Sequence, residues 1–257
     1  MEENIKITYI HHSAFCVETG GRAFVFDYYR GDYIPSCVYC GKMPEFPADM
    51  PVYVFASHEH GDHFDVEVLK WKEKYPNIRY IFAKEIKRKL GSSFLRRSGL
   101  EETIKESITY VKPGELYHID DITIETLLST DSGVAFLVTA DGKTVYHAGD
   151  LNWWRWEGEP EKDNDYQEKT YKEQINLISG RKIDLAFVVM DPRQEEDRYL
   201  GIDYFREHVQ AEYIVPMHMW KHYELVQEYR NLPENQKDRE RILCMEWENQ
   251  EIVLKEI

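Results

Sequence analysis

The sequence contains few cysteines, and they do not form the pattern of a disulfide framework. Four occur among 257 residues, namely Cys16, Cys37, Cys40 and Cys244. Small secreted domains stapled by disulfides use cysteine far more densely. Cys37 and Cys40 form one C-x-x-C pair, but a structural zinc site requires four ligands, so free thiols are expected.

Long apolar runs and a surplus of positive charge are also absent. The longest apolar runs are strand-sized, and the opening residues MEENIKITYI lack a basic start followed by an apolar stretch. We therefore expect neither a signal peptide nor a membrane span, and we expect a cytoplasmic protein without a membrane partner. The net charge of −15 would repel a phosphate backbone, so nucleic acid is not an expected partner unless a local basic patch exists.

The composition is that of a globular protein, with 42% hydrophobic and 14% aromatic residues. The segments IKITYIHH, AFCVET and AFVFDYY predict a β-meander, with Gly20-Gly21 as one turn. VYVFAS, FDVEVLKWKEKY and IRYIFA predict a βαβ unit, and Asp141-Gly142 predicts a hairpin into TVYHAG. Helices are predicted near 166–178 and 204–209 and in YELVQEYRNL, and the polar stretch EGEPEKDNDYQEK is predicted to be an exposed loop. This order favours a mixed sheet system with helices outside it.

Side chains that bind metals follow three of the predicted strands. The segment VYVFASHEHGDH ends in four such donors, YHAGD ends in one, and VPMHMW carries another. Imidazole and carboxylate suit zinc, iron or manganese, and loops beyond strand ends can direct them to one point. The candidate metal ligands are His58, His60, Asp62, His63, Asp150 and His218.

The stretch H-x-H-x-D-H at residues 58–63 resembles the signature of the metallo-β-lactamase superfamily. HHSAFCVETGGRAFVFDYY resembles the opening hairpins of that family with their strand-end aspartate, here Asp27, while VYHAGD and IVPMHMW resemble its later motifs. The resemblance implies one metallo-β-lactamase-like domain over residues 1–257, folded as a four-layer αββα sandwich. It assigns His58 and His60 to a first metal and Asp62, His63 and His218 to a second, with Asp150 bridging. The implied cofactor is one or two divalent ions, zinc first, with manganese or iron as alternatives.

One motif departs from the family pattern. Where the family normally offers a further histidine, this chain has Ser129, Thr130 and Asp131. The missing ligand belongs to the first site. That site is expected to be weak, empty or completed by Asp131.

The resemblance implies a metal-dependent hydrolase of a small molecule, closest to the compact lactonase-like members. A divalent metal lowers the pKa of a bound water towards ~7, and the resulting hydroxide would attack a lactone, ester, amide or phosphodiester. Asp62 is the candidate catalytic residue, since a carboxylate beside that water can accept its proton. Asp27 is expected behind the ligands, where it would fix the tautomer of one histidine. A buried aspartate that only links the strand to the loop would look the same in the sequence.

The substrate is less determined by the sequence. The segment LNWWRWEGE places Trp153, Trp154, Arg155 and Trp156 just after Asp150. These aromatic side chains could flank a cleft, and Arg155 could bind an anionic group, but core packing explains them equally well. Two alternatives to the small-molecule hydrolase are a nuclease on the same fold and a non-catalytic metal-binding or sensor protein with a degenerate first site.

Overall fold

The computed structural model describes residues 4–255, and these fall into two compact units. The first unit comprises residues 4–112 and 247–255, and the second comprises residues 113–246. Each unit contains one β-sheet. That residues 1–257 make a single metallo-β-lactamase-like domain stays a prediction.

The sheet of the first unit has seven strands in the order β13-β1-β2-β3-β4-β5-β6. The strands are β1 (Ile5–His11), β2 (Ala14–Thr19), β3 (Arg22–Phe26), β4 (Val52–Ala56), β5 (Arg79–Ala83), β6 (Ile108–Val111) and β13 (Glu251–Leu254). β1, β2 and β3 form the predicted antiparallel meander, and β3 to β6 are parallel. Every residue of β3 and β4 is buried, as is usual for strands in a parallel sheet.

Short helices connect the parallel strands of the first unit. The segment predicted as the helix of the βαβ unit is a 3₁₀-helix, Val66–Glu73, rather than an α-helix. Two β-branched valines in eight residues lower its α-helical propensity, and Asp65 caps it by accepting from the Glu67 N–H at 2.9 Å. The other connections are the 3₁₀-helices Lys84–Arg88 and Glu102–Ser107 and the helix α1 (Ser92–Arg97).

The sheet of the second unit has six strands in the order β12-β11-β10-β9-β8-β7. The strands are β7 (Leu116–Ile119), β8 (Ile122–Leu128), β9 (Val134–Ala140), β10 (Lys143–His147), β11 (Lys182–Val189) and β12 (Gln210–Met217). The hairpin predicted at Asp141-Gly142 joins β9 to β10, with φ of 50° and 76° at its two turn residues. Positive φ at both central residues is the requirement of a type I′ turn.

Three α-helices belong to the second unit: α2 (Glu161–Asn176), α3 (Leu200–His208) and α4 (Glu224–Asn231). The 3₁₀-helices Pro192–Asp197 and Pro233–Asp238 complete it. All three predicted helices are present, but α2 begins inside EGEPEKDNDYQEK, so the prediction of a loop there was wrong for its second half. Pro160 precedes the helix and Glu161 and Asp163 lie in its first turn, which favours a start at this point. No helix within residues 4–255 is long and apolar enough to cross a membrane.

Candidate metal centre

The first unit holds four of the predicted ligands in one loop. β4 ends at Ala56, and the chain then turns through His58, His60, Asp62 and His63. The rings of His58 and His63 lie 4.2 Å apart between centroids, and Nε2 of His58 is 3.0 Å from Nδ1 of His60. His58 and His63 are completely buried, whereas His60 is exposed.

Asp27 organises this loop from behind. It is completely buried directly after β3, with a φ of 46°. Its Oδ1 accepts from the Ser57 N–H at 2.7 Å, and its Oδ2 accepts from the Ser57 hydroxyl at 2.6 Å and from Nδ1 of His63 at 2.8 Å. Because the Ser57 proton points to Asp27, its oxygen accepts from Nδ1 of His58 at 2.9 Å. One carboxylate therefore orients two histidines, as the tautomer hypothesis for Asp27 expected.

A fourth histidine, which the sequence analysis missed, lies beside Asp62. His12 follows β1 and is completely buried, and its Nε2 lies 3.6 Å from Oδ2 of Asp62. Nε2 of His63 lies 4.0 Å from the same oxygen. These three ligand atoms all lie within 4.8 Å of one another. The available signal was the His11-His12 pair at a strand end, which the segment IKITYIHH displays.

The second unit repeats this arrangement with different residues. Asp150 follows β10 and His218 follows β12, and Nε2 of His218 lies 3.4 Å from Oδ1 of Asp150. Nδ1 of His218 donates to Oδ2 of Asp191 at 2.9 Å. Asp191 lies just beyond the end of β11 and is completely buried. The sequence analysis did not single out this aspartate.

Asp191 is held as a carboxylate by several donors. Burial alone would raise the pKa of this acid, but hydrogen bonds from His218 and Arg193 outweigh burial and hold the pKa well below its usual value. The Arg193 side chain donates to both carboxylate oxygens, and Trp220 Nε1 donates to Oδ2 at 3.2 Å. The anion therefore keeps the proton of His218 on Nδ1 and leaves its Nε2 lone pair facing Asp150.

These contacts test whether the residues suit a divalent cation. In His63 and His218, Nδ1 donates to an aspartate, so Nε2 of each ring carries a lone pair. Each lone pair faces the oxygen of a further carboxylate, in Asp62 and Asp150 respectively. Two acceptors that face each other in a buried site repel unless a proton or a metal cation lies between them. The donor set therefore fits a metal ion.

The segment that lacks the expected histidine offers a carboxylate instead. Asp131 and Asp150 each present an oxygen within 4.8 Å of the other. Thr130 fastens the segment, since its hydroxyl donates to the Asn152 carbonyl at 2.6 Å and accepts from the Asn152 N–H at 2.9 Å. Asp131 can thus supply an oxygen where the family pattern has a nitrogen.

The aromatic segment after Asp150 is mainly structural. Trp154 is buried, donates from Nε1 to the Asp150 carbonyl at 3.0 Å, and contacts the ring of His218 edge-on. Trp156 stacks on Trp154, with 5.6 Å between the ring centroids. Arg155 pairs with Glu161 through two hydrogen bonds, at 3.0 and 3.2 Å. The core-packing interpretation therefore fits Trp154, and the structure gives the Arg155 guanidinium an internal partner.

A cavity in the first unit adjoins the histidine loop. It has a volume of about 450 Å³ and includes Gly61, which lies between His60 and Asp62 in the sequence. Aromatic and basic side chains line much of the rest; they are Arg30, Tyr33, Phe64, Lys89 and Phe94. The Tyr33 ring packs directly over Gly61, where a Cβ would come within 2.0 Å of its Cζ. The cavity is of a size that suits a small molecule.

Contacts within each unit define the positions of the predicted ligands. The convergence of all six ligands on one centre stays a prediction. The first unit contributes His58, His60, Asp62 and His63, and the second contributes Asp150 and His218. Within the first unit the loop donors lie together as the spacing predicted. Within the second unit, Asp150 and His218 lie together although 68 positions separate them.

Comparison with known proteins identifies relatives of the chain. The family model described as the β-lactamase superfamily domain matches residues 6–155. A metal-dependent hydrolase of Archaeoglobus fulgidus is 28% identical over 154 residues, which cover 58% of this chain and 62% of that protein. The chain spans about three fifths of the length of the curated relatives it matches.

Solved structures show the same fold at low sequence identity. Igni18, a metallo hydrolase of the archaeon Ignicoccus hospitalis, aligns with a TM-score of 0.61 at 18% identity, over 98% of both chains. CmlA, a diiron β-hydroxylase of Streptomyces venezuelae, aligns with a TM-score of 0.62 at 15% identity, over 99% of this chain and 54% of that one. These matches and the two sheets confirm the predicted fold class. Because the family model covers more than half of the sequence, the chain belongs to the metallo-β-lactamase superfamily.

Proposed function

We propose that the protein is a metal-dependent hydrolase of a small molecule. The observation that carries the proposal is the pairing of buried imidazole lone pairs with carboxylates in both units. The Archaeoglobus relative, which is named a metal-dependent hydrolase, supports it. Opening of a lactone, ester, amide or phosphodiester is the proposed reaction class.

The proposed ligand set follows the family motifs. By those motifs, His58 and His60 would hold a first ion and Asp62, His63 and His218 a second, and Asp150 would be shared by the two. Asp131 is the proposed additional oxygen donor for the first ion. Its position near Asp150 within the second unit supports this assignment. Each set then combines two imidazoles with two carboxylates, a mixture of donors that suits zinc, iron or manganese.

A divalent cation held there supplies Lewis acidity and lowers the pKa of a coordinated water. The protein supplies the remaining chemistry. Oδ2 of Asp62 is partly open to solvent, with 20% of the side chain exposed, so it can accept a proton from the attacking water and return it to the leaving group. Asp27 and Asp191 keep His63 and His218 in the tautomer that presents Nε2.

The cavity beside Gly61 supports a small, amphipathic substrate that carries an anionic group. Phe64, Phe94 and Tyr33 offer apolar surface, and Arg30 and Lys89 place positive charge at the cavity in a chain of net charge −15. Arg30 is paired with Asp65 at 2.7 Å but is largely exposed, so its remaining N–H groups can reach an anion. A polymeric nucleic acid is disfavoured by the same net charge.

We also propose a reducing, cytoplasmic location for the protein. All four cysteines are free thiols, including the C-x-x-C pair. Unpaired cysteines are usual in compartments where thiols are kept reduced.

The decisive experiment separates metal binding from proton transfer at Asp62. Asp62→Asn keeps the shape of the side chain and loses its basic oxygen. Wild type, this variant and the exposed-site control Asp49→Asn are loaded with zinc, iron or manganese, and metal content is measured alongside hydrolysis of lactones, sugar-phosphate esters and phosphodiesters.

The expected result is a turnover lower by ~10² or more in Asp62→Asn at equal metal occupancy, with Asp49→Asn unchanged, because general acid–base help is worth about that factor. Full turnover at full occupancy would make Asp62 a ligand only. Wild-type protein that holds metal but is silent on every substrate would favour the binding-protein alternative.

A further inference from the structure

His12 and His11 are adjacent and completely buried, but they have different environments. Nε2 of His11 donates to the Tyr29 carbonyl at 2.9 Å. This nitrogen therefore carries a proton and cannot bind a metal ion. His12 has a φ of 50° and donates its backbone N–H to the Tyr9 hydroxyl at 2.9 Å. This left-handed turn directs the His12 ring towards Asp62 instead.

The hydroxyl of Tyr39 is the hydrogen-bond partner of Nδ1 of His12. Its Oη lies 3.4 Å from Nδ1 of His12, and the same hydroxyl hydrogen-bonds Cys37. If its proton is donated to the Cys37 sulfur, its oxygen accepts from Nδ1 of His12. Nε2 of His12 then carries a lone pair.

The lone pair of His12 faces the same carboxylate oxygen as His63 does. Nε2 of His12 is 3.6 Å from Oδ2 of Asp62, and Nε2 of His63 is 4.0 Å from it. Bonds of ~2.1 Å to a tetrahedral ion would place the ligand atoms roughly 3.4 Å apart. The two distances to Oδ2 of Asp62 exceed this separation by about 0.2 and 0.6 Å, so small side-chain rotations would bring His12 and His63 to bonding distance from an ion that Asp62 binds.

We propose that His12 is a further metal ligand, which binds the same ion as Asp62 and His63, and that Tyr39 is its positioning residue. The inference rests on the proposed metal centre and adds to it a nitrogen donor outside the family's H-x-H-x-D-H and later motifs. Two imidazoles and one carboxylate from the first unit alone then make a nitrogen-rich site, which suits zinc or cobalt.

The test uses the full chain freed of metal with a chelator and titrated with Co²⁺, whose visible absorption reports the number and type of ligands. His12→Asn removes the ligand, and asparagine tolerates the positive φ. His11→Asn controls for the loss of a buried ring, since Nε2 of His11 donates to the Tyr29 carbonyl while its ring stacks on Tyr39. Tyr39→Phe keeps the aromatic ring and removes the hydroxyl. Circular dichroism checks the folding of each variant.

The expected result is a Co²⁺ dissociation constant at least ~100-fold higher in His12→Asn, with a changed absorption spectrum. Tyr39→Phe should raise it about 10-fold, the lower end of the effect of groups that orient a ligand. His11→Asn should raise it no more than Tyr39→Phe does, because the His11 ring reaches His12 only through Tyr39. Folded His12→Asn protein with wild-type affinity and spectrum would overturn the inference while leaving the proposed function intact. A wild-type protein that binds no Co²⁺ would overturn both.

A structure of the zinc-loaded wild-type protein decides the question if His12→Asn does not fold. Nε2 of His12 at ~2.0 to 2.1 Å from zinc would support direct ligation. A separation beyond about 3 Å would overturn it, because a proton rather than a metal ion would then join His12 to Asp62.

Discussion

Replacement of Asp27 by asparagine is expected to weaken metal binding without any change in a ligand. The amide oxygen can still accept from the Ser57 N–H, as Oδ1 does now at 2.7 Å. The amide nitrogen, however, would meet two donors, the Ser57 hydroxyl and Nδ1 of His63, which now lie 2.6 and 2.8 Å from Oδ2. His63 can relieve this conflict by moving its proton to Nε2, which removes the lone pair that faces Asp62.

The magnitude follows from these two bonds. Groups that orient a metal-bound histidine are worth about 10- to 100-fold in affinity, or ~1.4 to 2.7 kcal/mol. Hydrogen bonds to a charged group are worth ~1.5 to 3 kcal/mol each, so partial loss of two should lower the free energy of unfolding of the metal-free protein by about 2 to 4 kcal/mol. Backbone strain adds little, because asparagine also accepts the φ of 46° at this position.

Isothermal titration with zinc measures the affinity, and urea unfolding of chelator-treated protein measures the stability. Asp120→Asn is the matched control, because Asp120 also has a positive φ, of 51°, but lies exposed in the hairpin between β7 and β8. An Asp27→Asn protein with wild-type zinc affinity would refute the reasoning that Asp27 selects the tautomer of His63.

Two further substitutions test the cavity and the second unit. Gly61→Ala should displace Tyr33, lower kcat/KM about 10-fold and leave metal content unchanged, as steady-state kinetics with elemental analysis would show. Arg206→Ala removes hydrogen bonds to Tyr229 and Asp238 and should cost about 3 kcal/mol in urea unfolding at pH 7. Burial raises the pKa of Asp238, but the ion pair with Arg206 lowers it more, so the pKa in the folded protein lies below 3.8. The free energy lost in Arg206→Ala should therefore become smaller as the pH falls below 3.8, where Asp238 becomes protonated. A loss that does not change with pH would contradict the ion pair.

Local patterns in the sequence determined much of the fold. Two-residue hairpin turns require a positive φ at both central residues, and Gly20-Gly21 and Asp141-Gly142 adopt it readily. Both hairpins were therefore predictable. The parallel strands β4 and β5 are apolar runs bounded by polar segments, and they were predicted for that reason. The short strands β6 and β7 and the helix α1 were missed, because four to six residues carry too little periodicity.

Local spacing also determined the histidine loop, since His58, His60, Asp62 and His63 lie within six residues at the end of a buried strand. What only tertiary structure decided is which distant groups complete each ligand's environment. Asp27 meets His63 across 36 positions, and Asp191 meets His218 across 27. His12 reaches Asp62, 50 positions away, only because β1 and β4 belong to one sheet and His12 adopts a left-handed turn. Periodicity records which side of a strand is buried, but the identity of the partner across a sheet depends on strand order and register, which no local pattern specifies.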